Sequence, residues 1–190
     1  MLTTGSSAVA LTFDDGPHPV WTPMILAALR ESRVKATFCL IGAQARRYPK
    51  LVRAIVRDGH ALCNHSWSHD MALGSRSRAH IEADLARTNA AIMAAAPTVR
   101  VRHFRQPGGR WTARVVRVAR GLGMKSLHWS VDPQDWRRPP AWQITGTVNK
   151  RTRKGAIVLL HDGGGDRSRT HRALHRILPN LTRRFRLAAL

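Results

Sequence analysis

The stretch from Val9 to Pro17 reads VALTFDDGP, an apolar run that ends in two adjacent carboxylates and a Gly-Pro break. Aspartate and Gly-Pro are poor strand residues, so we expect Asp14 and Asp15 to lie where a buried strand ends and a loop begins. Adjacent like charges raise each other's pKa unless a positive group stands close. The stretch therefore predicts a buried strand leading into a charged site, which a metal or a cationic side chain from elsewhere must complete.

Strand-like and helix-like segments alternate along the rest of the chain. Helical patterns begin at Thr22, a good N-cap before Pro23, and recur over 48–58, 77–95, 112–120, 142–150 and 170–182. Strand-like runs cover 8–13, 36–41, 60–64, 101–105, 125–131 and 156–160, with a short one near 185–187. This alternation predicts an α/β fold with a parallel sheet, closed as a barrel or open with helices on both faces. No linker or repeat divides the chain, so we expect one domain over residues 1–190.

The composition is strongly basic. The chain has 32 Lys and Arg against 11 Asp and Glu, a formal net charge of +21. Such a surface attracts polyanions, but the basic residues are spread along the chain without a dense block or interleaved aromatics, so we expect no specific nucleic-acid site. Six of the 11 acidic residues fall in the polar motifs (Asp14, Asp15, Asp132, Asp135, Asp162 and Asp166), a selective placement on so basic a protein.

Two further features limit the class of protein. Cys39 and Cys63 stand in apolar surroundings and are interpreted as buried free thiols, although spacing alone leaves a bridge open. No apolar run approaches the roughly 20 residues of a membrane span. The first residues have no basic start or long apolar stretch, so they do not resemble a signal peptide.

Four later polar segments each follow a predicted strand and carry candidate site residues. His65 and His69 are four apart, a spacing that holds one metal when the segment is helical. Two histidines and one aspartate leave open positions on the metal, which suits hydrolytic zinc and also non-haem iron. Arg105 precedes a Gln-Pro-Gly-Gly loop and could orient a carboxylate by a bidentate contact.

The last two segments supply a second carboxylate and a histidine. Asp135, in the sequence DPQDW, is either part of a turn or a carboxylate that orients and charges a histidine. His161 ends an apolar strand and is followed by Asp and three Gly, an open loop in which it suits a general acid. Sites in parallel α/β folds assemble from loops at the C-terminal ends of the strands, where all these segments fall.

Taken in order, the five segments resemble the motif series of the polysaccharide deacetylases, the NodB-like domain of carbohydrate esterase family four. The resemblance covers residues 11–166 and, more loosely, the rest of the chain. It implies a distorted parallel (β/α) barrel. It also implies metal-dependent N-deacetylation of a glycan that contains N-acetylglucosamine, such as chitin oligomers or peptidoglycan, with release of acetate.

The resemblance also implies a role for each motif residue. Asp15, His65 and His69 are the expected ligands of a divalent metal, most often Zn²⁺, with Co²⁺ or Ni²⁺ as alternatives. Asp14 is the expected base and Arg105 the group that keeps it ionised. His161 is the expected acid for the leaving nitrogen and Asp135 its partner. The residues expected to contact substrate are Pro107, Gly108 through its backbone N–H, Trp136 and Leu159.

The chain departs from the family pattern at a few positions. Gly108 stands where an aromatic residue is common, Cys63 stands where a small residue is usual, and Arg100 and Arg102 add charge before the third motif. None of these changes removes a catalytic group. The loss of an aromatic at Gly108 implies that one wall of the substrate groove is missing.

Two other functions remain open from sequence. The same site could remove O-acetyl groups from acetylated xylan, because an ester leaving group needs less protonation. The charge of +21 also allows a basic polyanion-binding module with a vestigial site. The resemblance implies an extracellular or cell-surface location. We expect a monomer, and the charge implies electrostatic association with an anionic cell wall.

Overall fold

The computed structural model describes residues 1–190. Its centre is one sheet of six parallel strands in the order β5-β4-β3-β2-β1-β6. The strands are β1 (Ala10–Asp14), β2 (Thr37–Leu40), β3 (Ala61–Asn64), β4 (His103–Phe104), β5 (Lys125–Ser126) and β6 (Ile157–His161). The sheet curls, and a single parallel bridge from Val131 to Val158 joins the segment after β5 to β6. The predicted distorted parallel barrel in a single domain is confirmed.

Seven helices connect and cover the strands, as parallel neighbours require. They are α1 (Trp21–Glu31), α2 (Gly42–Arg47), α3 (Pro49–Arg57), α4 (Arg78–Ala95), α5 (Ala113–Gly121), α6 (Ala141–Arg151) and α7 (Ser168–Arg184). Single turns of 3₁₀-helix occur at Leu73–Ser75, Pro107–Gly109 and Asp135–Arg137. None of the helices combines the length and the apolar character that crossing a bilayer demands.

Alternate residues of β1 belong to two different core clusters, one on each face of the sheet. Leu11 and Phe13 of β1 pack in the main cluster of 29 buried residues beneath the helices. Ala10 belongs instead to a small cluster inside the curl, with Cys39, Cys63, Leu127 and Ile157. Because successive strand residues face opposite sides, Thr12 and Asp14 share the inner face with Ala10. The register pairs Asp14 with Cys39 on one side and with His161 on the other.

Several predicted elements differ from the structure. The strand expected over 125–131 is interrupted. Its first two residues form β5, which pairs with β4, and the next pairing, at Val131, is with β6. The strand expected near 185–187 is reduced to one bridge between Val9 and Leu187. Helix α2 was not predicted at all.

Two smaller predictions have mixed outcomes. Thr22 is not the N-cap of α1: it lies buried in the first turn, and Val20 occupies the cap. Cys39 and Cys63 are buried free thiols, as expected. They lie opposite each other on β2 and β3.

Candidate functional site

The loops after β1 and β3 bring three metal-binding side chains together at the C-terminal edge of the sheet. Asp15 Oδ1 lies 3.4 Å from Nε2 of His65 and 3.4 Å from Nε2 of His69. The candidate ligand atoms of all three residues lie within 4.8 Å of one another. The trio predicted from sequence is therefore assembled in space.

The loop that carries the two histidines is not the helix that their spacing suggested. Ser66 and His69 adopt left-handed backbone conformations, with φ of 64° and 60°. The carbonyls of Ser66 and Trp67 accept hydrogen bonds from the first backbone N–H groups of α2, at 2.9 Å each. Tertiary hydrogen bonds thus shape the loop in place of helical ones.

A similar backbone turn separates the two aspartates. Asp14 is the last residue of β1, whereas Asp15 has a φ of 75° and so turns out of the strand direction. Asp14 keeps the inner-face position set by the strand. Neighbouring carboxylates can therefore contact different partners.

The Asp15, His65 and His69 cluster fits a divalent metal on two observations. Asp15 Oδ1 is buried and has no hydrogen-bond partner. His65 Nδ1 lies 2.8 Å from the carbonyl oxygen of Arg105, which can only accept, so Nδ1 carries the proton and Nε2 is left with its lone pair. Two imidazoles and one carboxylate are a common donor set for such metals and leave coordination positions open.

Asp14 is paired with a fully buried arginine. Arg105 Nη1 donates to Asp14 Oδ1 at 2.7 Å and to Thr12 Oγ1 at 2.8 Å. The rest of the guanidinium donates to the carbonyls of Leu127 and His128. Burial opposes the charge of Arg105, but the negative charge of Asp14 outweighs it, and the pKa of Arg105 lies above its usual range. The second oxygen of Asp14 lies 3.6 Å from His65 Nε2, on the side of the metal-binding cluster.

His161, the last residue of β6, is paired with Asp135 from the 3₁₀ turn. His161 Nδ1 lies 2.7 Å from Asp135 Oδ1, and Asp135 Oδ2 accepts from the backbone N–H of His161 at 2.9 Å. Thr170 of α7 donates its hydroxyl to the same Oδ2 at 2.8 Å. Burial lowers the pKa of His161, but the charge and hydrogen bond of Asp135 outweigh it and raise this pKa to about 9.

The residues expected to contact substrate each lie within three positions of Arg105, Asp135 or His161 in the sequence. Leu159 shares the inner strand face with His161, while Pro107 is buried in the 3₁₀ turn after β4. Trp136 is 48% exposed. Gly108 has a φ of 59°, and a Cβ built there clashes with Met71 Cε. Met71 therefore occupies the space that a larger residue at Gly108 would need.

Sequence reasoning missed several supporting residues. Asp162 is fully buried, accepts from Thr22 Oγ1 at 2.5 Å, and has its pKa raised to about 7 chiefly by burial. Its backbone N–H donates to the Asp14 carbonyl at 3.0 Å. Arg167 is buried and donates to the carbonyls of Gly163 and Gly164. The placement of Asp162 directly after His161 on a basic chain was the one available signal; Thr22 and Arg167 had none.

Comparisons with known proteins agree with this geometry. A chitooligosaccharide deacetylase of Sinorhizobium fredii is 42% identical over 188 residues, which cover 94% of this chain and 87% of that protein. A peptidoglycan-N-acetylglucosamine deacetylase of Bacillus cereus is 40% identical over 177 residues, covering 91% of this chain and 81% of that protein. A solved family 4 carbohydrate esterase from Streptomyces lividans, in complex with acetate, matches with a TM-score of 0.89 at 32% identity, covering 97% of this chain and 92% of that one.

The family model described as polysaccharide deacetylase matches residues 2–127, which span β1 to β5 and three of the five motifs. The two remaining motifs, around Asp135 and His161, lie within the span of the relatives, which extend over nearly the whole chain. The chain therefore belongs to the polysaccharide deacetylase family.

Proposed function

We propose that this protein is a metal-dependent N-deacetylase that releases acetate from glycans containing N-acetylglucosamine, of the chitin-oligomer or peptidoglycan type. One observation carries the proposal: the Asp15, His65 and His69 cluster lies next to two separate buried ion pairs, Asp14 with Arg105 and His161 with Asp135. Amide hydrolysis needs a base for water and an acid for nitrogen, and the two pairs can supply one each.

The proposed cofactor is Zn²⁺, because two histidines and one carboxylate with open positions form a typical hydrolytic zinc site. Co²⁺ and Ni²⁺ are the alternatives that the same donors accept. When bound, such an ion supplies a Lewis acid that polarises the acetyl carbonyl and lowers the pKa of a bound water.

Asp14 is the proposed base. Arg105 donates a hydrogen bond to one of its oxygens, while the other oxygen faces the metal-binding side and can accept a proton from the attacking water. The new bond joins the water oxygen to the acetyl carbon. The backbone N–H of Gly108 is proposed to donate to the carbonyl oxygen as negative charge develops there.

His161 is the proposed acid. With its pKa raised to about 9, its ring is protonated at neutral pH. It can then give a proton to the sugar nitrogen as the carbon–nitrogen bond breaks, so that a free amine and acetate leave. Leu159 and Trp136 are proposed to border the acetyl methyl group, and Pro107 to shape the loop at Gly108.

Removal of O-acetyl groups from xylan remains the second candidate, since an ester passes through the same steps. The pairing of His161 with buried Asp135 favours the amide, because an amine leaves only when it is protonated, whereas an alkoxide needs less help. A polyanion-binding module with a vestigial site is disfavoured, since a site without function has no need of two intact buried ion pairs.

Outside the site, we propose that the protein acts as a monomer and that its charge of +21 attracts it to an anionic cell wall. This association would concentrate the enzyme on its substrate without taking part in the chemistry.

The function is tested by acetate release from chitin oligomers, peptidoglycan and acetylated xylan. We expect acetate from the first two substrates, loss of that activity on chelation, and recovery when Zn²⁺ is added back. Release from acetylated xylan alone would support the esterase instead. Release that survives complete removal of metal, verified by elemental analysis, would contradict the assigned mechanism.

The pH dependence of the rate tests the His161–Asp135 pair. The pKa of His161 is raised from 6.5 to about 9 in the folded protein. The His161–Asp135 pair therefore stabilises the fold fully below pH 6.5, and this stabilisation is lost as pH rises through about 9, where His161 loses its proton. Asp135→Asn removes the carboxylate charge that helps to hold the proton on His161. We therefore expect the alkaline limb, the fall in rate at high pH, to shift to lower pH by about one pH unit or more.

Thr170→Val is the matched control for this change. It removes one hydrogen bond to Asp135 and keeps the charge. We expect the alkaline limb to stay within a few tenths of a pH unit of the original. An unchanged limb in Asp135→Asn would show that His161 is not the group that limits the rate at high pH.

A further inference from the structure

A groove between α6 and α7 combines an exposed aromatic ring with arginines. It has a volume of about 430 Å³ and is lined by Pro140, Ala141, Trp142, Thr145, Arg169, Arg172 and Arg176. Trp142 is 73% exposed, the highest exposure among the large apolar residues. No carboxylate lines the groove, so the charge of its arginines is not neutralised within it.

The groove begins next to the candidate active site. Arg169 of α7 donates to the carbonyl of Arg138, at the end of the turn that carries Asp135. The following residue, Thr170, contacts Asp135 itself. The exposed Trp136 lies in the same turn, six residues before Trp142.

Two of the groove's arginines are spaced along the axis of α7. Arg172 and Arg176 are four residues apart and so lie one above the other on one face of α7. Both are exposed. Guanidinium groups bind carboxylates with paired hydrogen bonds, and flat aromatic rings offer apolar contact area to a sugar ring.

We propose that this groove binds a carboxylate-bearing stretch of the glycan, with Trp142 against a sugar ring and Arg172 and Arg176 on the carboxylates. This inference rests on the proposed deacetylase function and narrows its substrate to an acidic glycan, namely a peptidoglycan strand without its stem peptides, whose muramic acid residues carry free lactyl carboxylates. A neutral chitin oligomer lacks the groups that the arginines would bind.

A second basic groove, between α4 and α5, provides a comparison. Arg117 and Arg120 line it together with two other arginines, but it also contains the carboxylate of Glu82 and no aromatic residue. It has similar charge and lacks the stacking surface. Substitution of its arginines therefore shows whether an effect comes from a specific subsite or from the overall surface charge.

The test compares two tetrasaccharides of equal length: fully N-acetylated chitotetraose, and an alternating oligomer of N-acetylglucosamine and N-acetylmuramic acid. For Arg172→Gln/Arg176→Gln we expect the ratio of kcat/KM, acidic over neutral substrate, to fall about fivefold through a higher KM for the acidic one, as two exposed charge contacts would give. Trp142→Ala is expected to raise KM for both substrates. Esterifying the lactyl carboxylates should reduce the ratio in the original protein and leave the double variant little changed.

Arg117→Gln/Arg120→Gln is the control, and we expect it to leave the ratio unchanged. An equal fall in this control would assign the effect to overall charge and overturn the subsite, as would an unchanged ratio in the groove variant. If neither tetrasaccharide releases acetate, the deacetylase function fails; binding of the acidic tetrasaccharide, measured by calorimetry with the same variants, then still decides whether the groove recognises it.

Discussion

Replacing Asp14 with asparagine is expected to lower kcat for acetate release by a factor of about 10²–10⁴, the usual contribution of a positioned base. Asparagine keeps the size of the side chain and an oxygen that can accept from Arg105 at the position now 2.7 Å away. It cannot take a proton from water. The loss should therefore appear in kcat rather than in the binding of substrate.

Asp15→Asn provides the matched change one residue along. It removes the same charge, but from the carboxylate that lies 3.4 Å from both histidines, so we expect its metal content to fall. Asp14→Asn should retain one metal ion per chain by elemental analysis. A kcat within tenfold of the original in metal-loaded Asp14→Asn would remove Asp14 from the role of base.

The fold could be read from sequence wherever apolar residues recur at a regular period. The strand runs that became β1, β2, β3 and β6 are buried almost throughout. Such apolar runs can be recognised from the sequence without knowledge of the tertiary structure. Helix α2 escaped because its six residues, GAQARR, contain no apolar periodicity. Its first N–H groups instead bond to the histidine loop, a partner that is distant in sequence.

The residues of the site also differ in how far sequence could predict them. Residues that carry chemistry stood out because aspartates and histidines directly after apolar strands need an explanation. The supporting residues did not, because Thr12 and Thr22 look like ordinary strand and helix residues until the fold brings Arg105 and Asp162 against them. The backbone turns at Asp15 and Ser66 were equally invisible, since a positive φ outside glycine is imposed by the surrounding structure.

Replacing Arg105 with methionine is expected to lower the free energy of unfolding by about 3–5 kcal/mol, the typical cost of breaking a buried ion pair by removing one partner. Arg105 is 0% exposed, and Asp14 would be left buried without its cation. The carbonyls of Leu127 and His128 would also lose their guanidinium donors. Urea denaturation of metal-free protein measures the cost without support from a bound ion.

Two comparisons identify the pairing as the cause of this loss. Arg30→Met breaks an ion pair with Asp58 at 2.7 Å, but the Arg30 side chain is 61% exposed, so its cost should stay below about 1 kcal/mol. Adding Asp14→Asn to Arg105→Met should restore part of the lost stability, because a neutral amide tolerates the buried position better than an unpaired carboxylate. If the double variant is instead as unstable as the sum of the two single changes, then packing rather than charge holds Arg105 in place.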